Sequence, residues 1–202
     1  MRVVLLTSLL AAAAGMTGAA VPPQDRPPLL PTRDVAVDYR ATAAGRTTNL
    51  RVLYSAATDR LRAEAAGQST YLIIDGRAHT AHVVMDRQRS VLDVPFDTDR
   101  WRGFVLSPRA TFNRQGSERM LGLTCTDWKV SGSQGSGTAC VTDDGVILRG
   151  AASGAAPDAH EGTGGIQATS VHYGPQPQDV FAIPAGYKSM AMPALPTMRA
   201  RQ

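Results

Sequence analysis

Aromatic residues make up only 5% of the 202-residue chain, and lysine occurs just at Lys129 and Lys188. The first scarcity leaves a core built on Val, Leu, Ile and Ala. The second makes nearly all positive charge arginine. A formal charge of +4 and a sequence pI near 9.4 would fit nucleic acid or an anionic surface. However, the arginines alternate with acids in Asp59-Arg60-Leu61-Arg62-Ala63-Glu64 and across residues 97–102, which is the pattern of a solvated face. No basic strand studded with aromatics accompanies them, so nucleic acid is excluded as a partner.

Chemical signatures are missing too. The serines of the SGSQGSG stretch lack the Gly-x-Ser-x-Gly spacing of a nucleophile elbow. Gly162-Thr163-Gly164-Gly165 has no preceding strand and no following Lys-Ser/Thr, so it is no phosphate loop. His79 and His82 stand three apart on an expected strand, hence on opposite faces, and cannot share a metal without a bulge. On that strand His79 reads as a core or cavity residue and His82 as a surface one. Asp143-Asp144-Gly145 reads as turn chemistry. No internal repeat is present. These absences point away from an enzyme and from any cofactor.

What is there begins with Met1-Arg2 and the apolar run from Val3 to Ala14. That run is shorter than the about 20 residues a spanning helix needs, and no later stretch could cross a membrane. It reads as a signal peptide over residues 1–20, with cleavage after Ala19 or Ala20. The protein is then periplasmic or secreted and not an integral membrane protein. A proline-rich leader over 21–33 follows, with little core of its own. One domain is expected over 34–190, with a loose tail over 191–202.

Within the domain the dominant signal is alternation, which is the mark of strands buried on one face. Val35, Val37 and Tyr39 alternate with polar neighbours. Leu50, Val52 and Tyr54 do the same, and short breaks make successive strands antiparallel. Arg60 to Glu64 offers only Leu61 and Ala63 inward. Tyr71-Leu72-Ile73-Ile74 is a central strand, followed by one in which His79, Ala81, Val83 and Met85 alternate, and by Ser90 to Val94. Asp97 to Leu106 reads as the one short helix, capped by Asp97 or Thr98 and carrying a Trp101, Phe104, Val105 stripe. Val180 to Pro184 docks the end of the chain.

Cys125 and Cys140 lie in a predicted meander of LGLTCTDWKV, GTACVT and GVILRG. In an oxidising compartment they are expected to form a disulfide. If they are directly opposite, Val130 pairs with Gly135, Trp128 with Gly137 and Thr124 with Val141. A two-residue Asp144-Gly145 turn then puts Val146 and Leu148 on the face of Trp128, Val130, Ala139 and Val141, away from the cysteines, Asp127 and Lys129. A three-residue Asp143-Asp144-Gly145 loop flips that third strand.

DYRAT at 38–42, YLIIDG at 71–76, GLTCTDWKV at 122–130, ACVTDDGVILR at 139–149 and ATSVHYGPQPQDVFAIPAGY at 168–187 resemble a branch of secreted bacterial domains. That branch is related to the periplasmic outer-membrane lipoprotein-carrier (LolA/LolB-like) superfamily. The resemblance implies a mainly β (α+β) fold, a curved antiparallel sheet forming a half-open β-barrel with one or a few short covering helices. It implies a concave apolar face able to hold acyl chains or another hydrophobic partner. Together with the alternation, it makes Leu50, Val52, Tyr54, Val83 and Met85 candidate ligand-binding residues, with Trp101 and Phe104 as their cover. The expected function is non-enzymatic binding of a lipid-like or acylated ligand, lipid or acylated protein. The alternative is a structural, interaction or envelope-sensor domain with a filled core.

Overall fold

The computed structural model describes residues 26–94, 106, 108–132, 135–153 and 164–191. Among these described residues there are twelve strands: β1 (Val35–Ala43), β2 (Arg46–Ser55), β3 (Arg60–Ala65), β4 (Thr70–Asp75), β5 (Thr80–Met85), β6 (Ser90–Val94), β7 (Thr111–Met120), β8 (Leu123–Gly132), β9 (Gly135–Thr142), β10 (Ile147–Ser153), β11 (Gly164–Tyr173) and β12 (Lys188–Ala191). They make one curved, unclosed sheet in the order β12-β6-β5-β4-β3-β2-β1-β11-β10-β9-β8-β7. All neighbours are antiparallel except β12 and β6, which run parallel. This is the mainly β, half-open fold expected. The expected covering helix over Asp97 to Leu106 lies outside the described residues apart from Leu106, which is buried at 2% exposure.

Turn chemistry sets the register. Ala44-Gly45 and Leu121-Gly122 are two-residue hairpin loops with both residues at positive φ, the geometry whose twist matches the flanking strands. Three other loops share a different plan. Residues 56–59, 76–79 and 86–89 each span four positions, and each ends in a left-handed residue, Asp59, His79 or Arg89. His79 is therefore an exposed turn residue, which corrects the expected core or cavity histidine. The alternating pattern extends one residue beyond the start of β5.

The cysteine hairpin also differs from expectation. Gly132 pairs with Gly135, so the loop has two residues, and Trp128 faces Ala139 while Val130 faces Gly137. The shorter loop shifts the register by two. Cys125 therefore pairs with Thr142, Asp127 pairs with Cys140, and the cysteines stand diagonally. Their Cα atoms are 5.3 Å apart and the disulfide is made, since this diagonal is within bridging range.

The third strand takes the three-residue option. Gly145 N–H donates to Thr142 C=O, Thr142 N–H donates to Val146 C=O, and Gly145 has φ +89°. A Cβ at Gly145 would also collide with the carbonyl of Leu30, so glycine is required twice over. As a result Val146 and Leu148 pack with the cysteines rather than with Trp128. Ile147 takes the Trp128 side, in a cluster with Leu106, Ala139, Val141, Phe112 and Val130.

Two segments outside the meander act as straps. The leader, expected to contribute little, inserts Leu30 into the main cluster of Val35, Val37, Tyr39, Tyr54, Val146 and Leu148, and Leu29 into the Trp128 cluster. After β11, the 174–187 segment crosses the other face of the sheet. Phe181, at 4% exposure, packs on Ala36 and Leu53, and Tyr187 packs on Tyr71, Ile73, Val84 and Val91. The chain then adds β12 to the edge of β6, with Ala191 still paired to Asp93.

Candidate functional site

Cross-strand pairing fixes which side chains share a face, since directly opposed residues project together. Val171, Val37, Val52, Ala63, Leu72, Val83, Leu92 and Met190 are successive partners on β11, β1, β2, β3, β4, β5, β6 and β12. The row is apolar throughout its length. Beside it run Tyr54, Leu61, Ile74 and Ala81 on one flank, and Leu50 with Ala65, then Thr70 with Met85, on the other. The expected residues Leu50, Val52, Tyr54, Val83 and Met85 therefore do lie on one face. Trp101 and Phe104 lie outside the described residues.

Along the row burial changes. Val37 is buried at 3%, and Leu50, Val52 and Leu61 pack against the main cluster. Tyr54 is buried and its hydroxyl donates to Asp59 Oδ1 at 3.0 Å. Farther on, Leu72, Val83, Met85 and Leu92 are half-buried, and Met190 is 43% exposed. None of these five belongs to a buried cluster among the described residues.

The opposite face carries charge and the C-terminal strap. Arg62 is the junction between them. Its guanidinium stacks 3.7 Å from the Tyr71 ring centroid, donates twice to Glu64 Oε2 at 3.0 and 2.8 Å, and donates to the Val180 carbonyl at 3.1 Å. Burial, then the nearby Asp86 carboxylate, pushes the Tyr71 phenol above its ordinary range. On this face lies a cleft of about 620 Å³ lined by Asp38, Arg40, Asn49, Arg51, Glu64 and Gln68, among others. Of the expected ligand residues only Leu50 touches it. From sequence these alternating charges read as a solvated face. Their cross-strand assembly, Asp38 with Arg51 and Arg51 with Glu64, depends on register and is invisible without it.

At the far end of the sheet, Arg149 reaches Glu118 at 2.8 Å and Asp127 at 3.2 Å, spanning the strands that hold the disulfide. Glu118 and the two cysteine sulfurs lie within 4.8 Å of one another. The sulfurs are spent in the disulfide and offer no thiolate to a metal.

A polar clasp ties the leader down. Arg33 donates to Asp144 Oδ2 at 3.0 and 2.6 Å, and its guanidinium lies 4.0 Å from the Tyr173 ring centroid. Tyr173 and Thr142 hydroxyls both donate to Asp144 Oδ1. Burial alone would raise the Asp144 pKa, but the hydrogen bonds from Thr142, Arg33 and Tyr173 outweigh it and hold the carboxyl below its ordinary value. Burial and the adjacent carboxylate raise the Tyr173 phenol.

His82, Asp93 and Ser189 also cluster. Ser189 Oγ donates to Asp93 Oδ2 at 2.7 Å and His82 Nδ1 lies 2.8 Å from Oδ1. These bonds, that of Ser189 first, lower the Asp93 pKa. The carboxylate sits between serine and imidazole, so the imidazole cannot take the serine proton, and the order is wrong for nucleophilic catalysis. The cluster pins β12 to β6 and β5. His82 is thus more engaged than the surface histidine expected.

An apolar row on one face and a strapped, partly charged opposite face belong to one curved, half-open sheet, the architecture read from the sequence. Comparison with solved structures agrees at the level of fold. An uncharacterised conserved protein from Thermus thermophilus superposes with TM-score 0.59 at 7% identity, over 80% of this chain and 91% of that one. MucB in the Pseudomonas aeruginosa MucA/MucB complex gives 0.50 at 12% identity, covering 75% of this chain and 56% of that one. PNGF-II gives 0.52 at 11% identity, with 79% of this chain and 32% of that one covered. No protein-family model matches the chain, and no curated protein matches it in sequence. Among the described residues, no helix is long and apolar enough to cross a membrane.

Proposed function

We propose that this chain is an exported, periplasmic, non-enzymatic binding module for a lipid-like or acylated ligand, held on the open apolar row. The observation that carries the reading is the half-exposed stretch Leu72, Val83, Leu92 and Met190 on four adjacent strands. Eight strands spaced about 4.8 Å apart make the whole row on the order of 30 Å long. A methylene fully removed from water gains about 0.8 kcal/mol. A chain lying on an open sheet is covered on one side only and gains about half of that. Ten such methylenes give roughly 4 kcal/mol, which the cost of association largely consumes. A second surface is therefore needed for useful affinity. Trp101 and Phe104, in the connection between β6 and β7, are proposed to supply it.

Native mass spectrometry with lipid extraction, on protein taken from the periplasm without detergent, tests the reading. Co-purifying lipid or acylated peptide that is lost in Val83→Arg supports it. Ligand-free protein that also takes up no fluorescent fatty acyl probe refutes it. That outcome would leave the second reading, a protein-interaction domain. Its support is the solved complex of MucB with MucA, in which a chain of similar fold holds a protein partner.

A further inference from the structure

The charged cleft lies on the face opposite the apolar row. Its floor is a polar patch of three strands: Asp38 and Arg40 on β1, Asn49 and Arg51 on β2, and Glu64 on β3, with Gln68 from the β3 to β4 turn and Thr169 at the bulge of β11 along its margin. Several of these groups have unused bonding capacity. Both Arg62 bonds to Glu64 go to Oε2, so among the described residues Oε1 is left to accept. Arg51 sits 3.7 Å from Asp38 Oδ1, a loose pair, while Asp38 Oδ2 accepts from Ser170 Oγ at 2.6 Å. Among the described residues, the Arg40 guanidinium and the Asn49 and Gln68 side-chain amides make no hydrogen bond or ion pair. Arg40 is exposed and makes no ion pair among the described residues, whereas the cleft's carboxylates are engaged, Asp38 by Ser170 and loosely by Arg51, and Glu64 by Arg62.

We infer that this cleft binds an acidic saccharide, a sugar bearing a carboxylate. Planar side chains that both donate and accept, set at strand spacing, match adjacent hydroxyls, each of which also donates and accepts. Arg40, without an ion-pair partner among the described residues, selects the charged member of that class, because a guanidinium takes a carboxylate in a two-pronged bond. A volume of 620 Å³ falls in the ordinary range for small-ligand sites and holds a disaccharide. The carboxylate lies at Arg40, flanked by Asn49, and the hydroxyl-bearing rings extend across Arg51 toward Glu64 Oε1.

The test is an NMR titration of the full chain with digalacturonic acid, cellobiose and acetate. Digalacturonic acid is expected to shift the backbone amides of Asn49, Gln68 and Thr169 saturably, with affinity falling as salt is raised. Cellobiose, lacking the charge, and acetate, lacking the rings, are each expected to bind about tenfold or more weaker. Arg40→Ala should weaken digalacturonic acid by about tenfold and leave distant amides unmoved. Gln68→Ala, at an exposed turn, gives a second variant independent of the sheet. Equal binding of acetate would make the cleft a nonspecific anion patch, equal binding of cellobiose would remove the role of Arg40, and no saturable shift would overturn the site outright. None of these results bears on the apolar row, whose probes are acyl chains.

Discussion

Replacing both Cys125 and Cys140 by alanine isolates what the disulfide contributes. The bridge closes a loop with a sequence separation of 15, and in the chain-entropy model a loop of that size stabilises by roughly 3 kcal/mol through the unfolded state. Both residues are 1% exposed, so removing the two sulfur atoms also leaves a small void, worth about another 1 kcal/mol. For a protein of this size each kcal/mol moves the melting temperature by about 2 to 4 °C. The double variant should therefore melt about 10 °C lower by calorimetry. The loss should be local in the native state. In the sheet ladder β7 to β9 form one end, hydrogen-bonded to the remainder through β10, and β7 is the edge strand, so hydrogen exchange should quicken in β7 to β9 first. With both sulfurs buried, reduction of the wild type should proceed only through opening of that end. A fall smaller than about 2 °C, or two thiols titrating in the native oxidised protein, would refute the reasoning.

Arg62→Ala removes a cation over Tyr71, two bonds to Glu64 and the bond to the Val180 carbonyl. It should cost about 1.5 to 3 kcal/mol in urea unfolding and make the 174–187 strap an early site of limited proteolysis. Asp144 has a lowered folded pKa, so its stabilisation is fully present above the unfolded value near 4 and is lost as pH falls through the folded value. Asp144→Asn should accordingly flatten the acid limb of the stability curve while lowering stability at neutral pH, as read by thermal melts across pH 2 to about 7. Gly145→Ala should destabilise by more than about 1 kcal/mol, since it meets both an unfavourable φ and the Leu30 carbonyl, and the measure is again urea unfolding.

Strands were legible where alternation was long and one face was apolar. β1, β2, β4 and β6 fall where the pattern of Val35 to Tyr39, Leu50 to Tyr54, Tyr71 to Ile74 and Ser90 to Val94 puts them. Register was not legible around Gly132 to Gly135, because a glycine and serine run accepts a two-residue or a longer loop with nearly equal ease. That choice moves every pair by two. The same ambiguity at Asp143-Asp144-Gly145 decided the side of Val146 and Leu148. His79 misled because alternation does not distinguish the last residue of a turn from the first of a strand, whereas its φ of 55° does. The parallel β12 pairs only Lys188 to Ala191 with residues almost a hundred positions earlier, a contact with no local signal. Leu29 and Leu30 were hidden by the prolines around them, which mark extended chain and say nothing about where that chain packs.

These long-range pieces decide how the two faces of the sheet differ. A twelve-stranded sheet that does not close must cover each apolar surface with something. On one face the chain uses itself: Phe181 and Tyr187 are carried across by a strap fixed at Arg62 and ended by β12 at the edge of β6. That face needs no further apolar partner, and what it leaves uncovered, the Asp38, Arg51 and Glu64 patch, is polar. On the other face the leader and the disulfide cluster, among the described residues, fill the half that lies over β1 to β3 and β7 to β11. The half over β4, β5, β6 and β12 has Leu72, Val83, Leu92 and Met190 without a buried cluster among the described residues. The same sheet is thus completed by its own chain where apolar side chains meet the strap. Among the described residues nothing comparable covers the other half, and under the proposed binding function a hydrophobic ligand would complete it in the way the strap completes the other face.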